Sequence, residues 1–277
     1  MNEISLFDRF HYSLTKNKRT EDFYRLLYEK IRDRYFSKKE NCLVIKDLKL
    51  PVLSNSAKPT REEAYIAMEI ADILFPAKLS RYHFCDEGPY EWGDVFISEG
   101  DTVFDCGANI GIFSILAASK GAEVYAFEPI FGARKILRTT LELNPEFSKQ
   151  IHIVPYALAD VEEKAEFKVL DNTYVGSSMV LMNQIGHTEI SDVTTVDIFA
   201  EKNNLHVDFI KADIEGAERK MLEGAQKTLS RNSPKISICK YHLADDPQVL
   251  KSLILKANKD YVLTEKWKKI YGAVTRR

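Results

Sequence analysis

Asp213 and Glu215 stand two residues apart just after the apolar run Phe209 to Ala212, with Gly216 behind them. Two carboxylates at i and i+2 in a strand-to-helix turn can point into one crevice. There a carboxylate takes up a proton or steadies a developing charge. His242 lies just past a second apolar run, Lys235 to Cys239. With an ordinary pKa of about 6.5, an imidazole can act as a base at neutral pH. Asp213, Glu215 and His242 are therefore the candidate catalytic residues. Each also has a plainer reading: one of the acids can cap the helix that begins near Ala217, and a lone histidine on a loop can be merely polar. Lys240, two residues before His242, suits an anionic acceptor or simple solvation.

A second set of residues carries a cofactor argument. Asp105-Cys106-Gly107-Ala108-Asn109-Ile110-Gly111 joins the short apolar run Thr102 to Cys106 to a helical pattern from Ile112 to Lys120. Glycines at Gly107 and Gly111 let the backbone approach a ligand closely. Open parallel sheets bind ligands beyond the C-terminal strand ends, where strand order reverses. Glu128, followed by Pro129, ends the next strand and is placed to accept hydrogen bonds from two ribose hydroxyls.

Charge then separates two cofactors. A dinucleotide brings a pyrophosphate, which calls for G-x-G-x-x-G and a helix start free of carboxylates. Here Asn109 replaces the middle glycine, the third is missing, and Asp105 precedes the turn. S-adenosylmethionine brings a sulfonium and an ammonium, which a carboxylate attracts. The pattern points to S-adenosylmethionine and methyl transfer. A nicotinamide-dependent oxidoreductase and a non-catalytic cofactor-binding scaffold are the alternatives. Tyr90, in the segment Glu87 to Trp92, is expected to fold over the cofactor, and the loop Asn172 to Met179 to face the substrate as a lid. No metal is assigned, since two carboxylates are too few to argue a site.

The elements that must position these residues follow from periodicity. From about residue 86 onward, short apolar runs alternate with helical patterns. Strands are expected at Thr102 to Cys106, Val124 to Phe127, Ile151 to Val154, Phe209 to Ala212 and Lys235 to Cys239. Helices are expected at Gly132 to Leu143, Ala217 to Leu229 and Pro247 to Ala257. Such alternation implies an α/β fold, a mainly parallel sheet with helices on both faces. The strands Glu166 to Val169 and Val193 to Val196 flank the Gly/Ser loop, and Tyr261 to Leu263 with Lys269 to Val274 suggests an antiparallel hairpin at the sheet edge.

Residues 1–85 form an N-terminal helical extension, with Phe7, Phe10, Tyr24, Leu27 and Ile31 at helical spacing. A second helix begins after Thr60, where Glu63 completes a capping-box pattern. Residues 86–277 then form the cofactor-binding domain.

The 277 residues carry a net charge of -2, which gives no general push toward nucleic acid or an anionic membrane. Four scattered cysteines form no CxxC pair, so neither a disulfide framework nor a zinc site is expected. No signal peptide or membrane-spanning run is visible. A cytoplasmic protein is expected, acting on a small-molecule or glycan acceptor and possible as a homo-oligomer.

The chain resembles the FkbM-type methyltransferase family. The resemblance is carried by the turn from Asp105 to Ser114, by Phe127-Glu128-Pro129 and by Ala157-Leu158-Ala159-Asp160. Val175 to Ser178, Val193 to Asp197 and Asp208 to Glu218 continue it, over roughly residues 87 to 242. It implies a Rossmann-like class I fold and methyl transfer, typically to a hydroxyl oxygen of a sugar, glycan or polyketide. It also implies that Ala159 and Asp160 lie near the adenine and that Glu128 holds the ribose. Many relatives carry an acid in the segment Ile238 to His242, where this chain has Lys240 beside Tyr241 and His242.

Overall fold

Continuous apolar runs are buried on both faces only inside a covered parallel sheet, and the computed structural model places them there. It describes residues 18–54, 58–74, 87–170 and 186–274. The expected lid at Asn172 to Met179 lies outside the described residues, as do Phe7, Phe10 and Cys85.

The first elements are α1 (Lys18–Tyr35), β1 (Phe36–Ser37), β2 (Cys42–Ile45), β3 (Leu48–Pro51) and α2 (Arg61–Leu74). The central ones are β4 (Thr102–Cys106), α3 (Ile112–Ser119), β5 (Glu123–Phe127), α4 (Phe131–Leu143), β6 (Ile151–Val154), β7 (Tyr156–Leu158), β8 (Glu163–Leu170), β9 (Gly186–Thr194) and α5 (Val196–Lys202). The last are β10 (Phe209–Ala212), α6 (Glu218–Glu223), α7 (Gln226–Arg231), β11 (Lys235–Cys239), α8 (Asp246–Ala257), β12 (Tyr261–Lys266) and β13 (Lys269–Val274).

The seven-stranded sheet has the order β12-β13-β11-β10-β4-β5-β6. Strands β11, β10, β4, β5 and β6 run parallel, and the β12–β13 hairpin adds antiparallel at the β11 edge. Chain order reverses between β4 and β10, so the ligand crevice belongs above their C-terminal ends. A second sheet, β7-β9-β8, stands beside it.

One face packs Phe104, Phe127, Val196, Leu222, Leu229 and Leu250. The other packs Val103, Ile115 and Phe209 together with Tyr28, Leu43, Leu50, Ile66 and Ile70, so the N-terminal elements share this core. Asn144 at the end of α4 adds a two-way link, accepting from Lys49 N at 2.9 Å and donating to Lys49 O at 2.7 Å. The N-terminal extension holds the expected helices and also a small antiparallel sheet, β1-β2-β3. Two- to four-residue strands are too short to show a period of two. The capping box forms: Glu63 N donates to Thr60 Oγ1 at 3.2 Å and Thr60 N to Glu63 Oε2 at 2.8 Å.

Two elements differ from expectation. The helix expected over Ala217 to Leu229 is broken into α6 and α7 at Gly224 and Ala225. A Cβ on Gly224 would stand 2.1 Å from the Ala159 carbonyl oxygen, and Gly224 O accepts from Asp197 N at 2.9 Å. The Asp197 carboxylate then accepts from Lys227 N and Thr228 N at 2.9 and 2.7 Å, restarting the helix. The strand expected to reach Val196 stops at Thr194, because Thr195 accepts from Ile198 N at 2.9 Å and caps α5.

Candidate functional site

The turn after β4 is built from left-handed backbone: φ is +80° at Gly107, +49° at Asn109 and +87° at Gly111. A Cβ on Gly107 would lie 2.0 Å from the Asp213 carbonyl oxygen, and one on Gly111 2.2 Å from Leu137 Cδ1. Packing within the protein therefore already requires glycine at both positions. Gly107 N and Ala108 N both donate to Phe127 O at 3.0 Å, Asn109 N to Glu128 Oε2 at 2.9 Å, and Gly111 N to Ala108 O at 2.8 Å. Four backbone donors of the turn are thus used internally, while Asn109 Oδ1 is buried without a hydrogen-bond partner. The Asn109 amide nitrogen donates to Glu69, which α2 brings to the turn. Burial pushes the Glu69 carboxyl up to about 8, against the Asn109 hydrogen bond and Lys211.

Asp105 lies beneath this turn, with 0 % of its surface exposed. Its register partner across the sheet is Lys211, and parallel partners share a face. Lys211 Nζ stands 3.0 Å from Asp105 Oδ1 and donates to Gly107 O at 2.6 Å, and Ser114 Oγ donates to Asp105 Oδ2 at 2.6 Å. Burial alone would lower the Lys211 pKa, but Asp105 and Asp213 outweigh it and hold the ammonium above its ordinary range. Asp105 is therefore not a bare carboxylate facing a ligand, as expected, but half of a buried ion pair that fixes the turn.

Above β10, Asp213 accepts from Tyr90 Oη at 2.8 Å and from Tyr241 Oη at 3.4 Å. Its N–H donates to Cys106 O at 3.1 Å, tying it to β4. Burial opposes its ionisation, yet His242, Lys211, Lys269 and the Tyr90 hydroxyl outweigh that and hold it down to about 2. Asp213 is a fixed anion. Tyr90 is buried beside Phe113, with the Lys269 ammonium 4.3 Å from its ring centre, and its hydroxyl is committed to Asp213. It was expected to cover a cofactor; here it positions the acid. Lys269 Nζ donates to Glu87 O and Gly88 O, both at 2.8 Å, and so holds the Tyr90 segment down.

His242 is 4 % exposed, and carboxylates approach both ring nitrogens. Glu218 Oε1 lies 3.1 Å from Nδ1; Glu215 Oε2 and Asp213 Oδ1 lie 3.4 and 3.7 Å from Nε2. Burial would lower its pKa, but Glu218 and Glu215 outweigh that and raise it well above the usual value. The flanking carboxylates thus favour the charged ring, which works against the neutral base expected of His242.

Glu215 adopts φ +52°, a strained conformation for a residue with a Cβ. The turn is held by Glu218, whose oxygens accept from Ile214 N at 2.9 Å and Gly216 N at 3.1 Å. Neither Asp213 nor Glu215 caps α6, whose N-cap is Ala217. Lys240 pairs with Glu265 at 2.6 Å, so its charge is already met.

On the far side of the turn, Glu128 accepts from Asn109 N and Ile130 N, each at 2.9 Å. Burial nevertheless pushes its carboxyl up to about 7. Pro129 is half-buried beside it. Ala159 is buried and donates its N–H to Thr194 O at 3.0 Å; Asp160 is exposed, 4.0 Å from Lys220.

The structure thus gathers Tyr90, Asp105, Asp213, Glu215 and His242 around the β4/β10 reversal, with Gly107, Asn109 and Glu128 adjoining. Sequence reasoning missed Glu69, Lys211, Glu218 and Lys269. Lys211 alone left a signal, a charge inside an apolar strand, where lysine is almost never buried unpaired.

Residues 105–263 match the family described as the methyltransferase FkbM domain. The structure of a methyltransferase FkbM from Methylobacillus flagellatus KT superposes with a TM-score of 0.52 at 18% identity, covering 89% of this chain and 58% of that one. A SAM-dependent methyltransferase from Aquifex aeolicus aligns at 15% identity and a TM-score of 0.36, covering 74% and 90%. The AMB antimetabolite synthetase AmbE of Pseudomonas aeruginosa is 26% identical over 134 residues, which are 44% of this chain and 6% of that protein. The chain therefore spans a small fraction of that synthetase and somewhat over half of the Methylobacillus structure.

Proposed function

Because the chain belongs to the FkbM methyltransferase family, we propose that it uses S-adenosylmethionine to methylate a hydroxyl oxygen of a sugar, glycan or other secondary metabolite. One observation carries the cofactor choice. The turn above β4 has spent four backbone donors internally and keeps a buried, unpartnered acceptor, Asn109 Oδ1. A pyrophosphate needs donors; an ammonium needs acceptors. The residues present fit a cationic ligand, with Asn109 and Glu69 facing the ammonium, Glu128 accepting from the ribose, and Asp160 near the adenine.

When bound, S-adenosylmethionine supplies an electrophilic methyl group on sulfur. The protein's part is to hold an acceptor oxygen in line with that methyl, about 3 Å away. Asp213, ionised and steadied by Tyr90, is suited to accept the hydrogen bond of the acceptor hydroxyl and orient its lone pair. Titration calorimetry should show S-adenosylmethionine binding and no NAD binding. Incubation with a panel of sugars should then release S-adenosylhomocysteine in an acceptor-dependent way. NAD binding in place of S-adenosylmethionine would overturn the cofactor reading, and cofactor binding with no turnover on any hydroxyl acceptor would overturn the acceptor reading.

A further inference from the structure

Three carboxylates, of Asp213, Glu215 and Glu218, converge on the one buried imidazole of His242. Lys211 and Lys269 act on Asp213 from a distance, while their ammonium groups are bound to Asp105 and to the carbonyls of Glu87 and Gly88. One donor atom from each of Asp213, Glu218 and His242 lies within 4.8 Å of the others. Donor atoms around a cation with bonds of about 2.1 Å stand about 3.0 to 4.2 Å apart, so the cluster is close to the span of a coordination shell. His242 is 4 % exposed, and neither ring nitrogen makes a hydrogen bond of normal geometry, although carboxylate oxygens stand at 3.1, 3.4 and 3.7 Å. Glu218 still has capacity: each of its oxygens has two lone pairs, and the bonds from Ile214 N and Gly216 N use one apiece. Glu215 keeps its strained φ of +52° at the rim, where its side chain is partly exposed and within reach as a further ligand.

We propose that Asp213, Glu218 and His242, with Glu215 at the rim, form a binding site for a divalent first-row metal ion. One imidazole nitrogen among carboxylate oxygens suits Mn²⁺ or Zn²⁺. The coordinating ring nitrogen must be unprotonated, so the metal competes with protons for it. The site adjoins the cofactor turn through the contact of Gly107 with the Asp213 carbonyl. A metal there acts as a Lewis acid on an acceptor hydroxyl, making its oxygen a better nucleophile at neutral pH. This last role rests on the methyl-transfer reading; the metal site itself does not.

The test is Mn²⁺ binding to the full chain, followed by electron paramagnetic resonance of the free ion and by calorimetry, with Zn²⁺ as a second probe. One ion per chain is expected. His242→Ala and Asp213→Asn should each weaken binding at least about tenfold. Glu215→Gln, at the exposed rim, gives a smaller loss and covers the case in which a buried variant fails to fold, as judged by circular dichroism. Absence of binding of both ions at millimolar concentration overturns the proposal, as does stoichiometric binding unchanged in folded His242→Ala or Glu215→Gln protein. S-adenosylmethionine affinity, measured on the same samples without metal, stands apart. Its loss counts against the cofactor reading, and its retention with no metal bound counts against the metal site alone.

Discussion

Replacing Lys211 with methionine isolates what the buried ion pair does. Methionine keeps the apolar stem but removes the ammonium that stands 3.0 Å from Asp105 and donates to Gly107 O at 2.6 Å. Asp105 has no exposed surface, so it cannot turn to water; its remaining hydrogen bond comes from Ser114 Oγ. Stripping one partner from a buried pair costs about 3–5 kcal/mol, chiefly because the other charge stays behind. Lys211→Met should lose that much in urea unfolding followed by circular dichroism. Asp105→Asn in the same background removes the stranded charge, so the double variant should recover about 2 kcal/mol or more relative to the sum of the two single losses. The released Gly107 carbonyl should also loosen the turn and weaken S-adenosylmethionine binding. A Lys211→Met loss below about 1 kcal/mol, or strict additivity of the two substitutions, would refute the view that this pair fixes the turn.

Other outcomes follow from the same geometry. The Glu128 carboxyl is raised to about 7 in the ligand-free protein, so its protonated form is favoured on folding and the associated stability, complete below the unfolded pKa, fades as pH rises through 7. Ribose hydroxyls favour the ionised form instead; S-adenosylmethionine should bind about tenfold more tightly at pH 8 than at pH 6, with the dependence flattened in Glu128→Gln calorimetry. Gly107→Ala puts a methyl group 2.0 Å from the Asp213 carbonyl oxygen at φ +80°, and should separate the two loops and abolish cofactor binding in a thermal-shift assay. Glu63→Ala removes acceptors for Thr60 N, Ser54 N and Ser54 Oγ; it should cost about 1–3 kcal/mol, read as a lower Tm, while leaving the cofactor turn in place.

The sheet was legible because its strands are apolar throughout and its helices periodic, and period is what a sequence displays. The turn at Asp105 and the acids at Asp213 and Glu215 were legible because each follows such a strand directly. The charges that neutralise them were not. Lys211 meets Asp105 only through strand register, Lys269 arrives from a hairpin at the sheet edge, and Glu69 comes from a helix 40 residues before Asn109. Sequence spacing carries no signal for such meetings. His242 is a case of the same kind: its type suggested a base, but Glu218 and Glu215, which meet it only through the fold, favour its charged form.

The contact between Gly107 and the Asp213 carbonyl has an evolutionary corollary. It joins the donor-side turn to the acid-side turn, with Asp213 N bonded to Cys106 O and Lys211 Nζ to Gly107 O across the same seam. A joint of main-chain contacts clamped by one buried lysine offers selection little room for gradual adjustment, so the two turns should be inherited together as one part. Diversification toward new acceptors is then left to the rim, at Glu215, where a substitution alters what is held without shifting the line along which a methyl group moves.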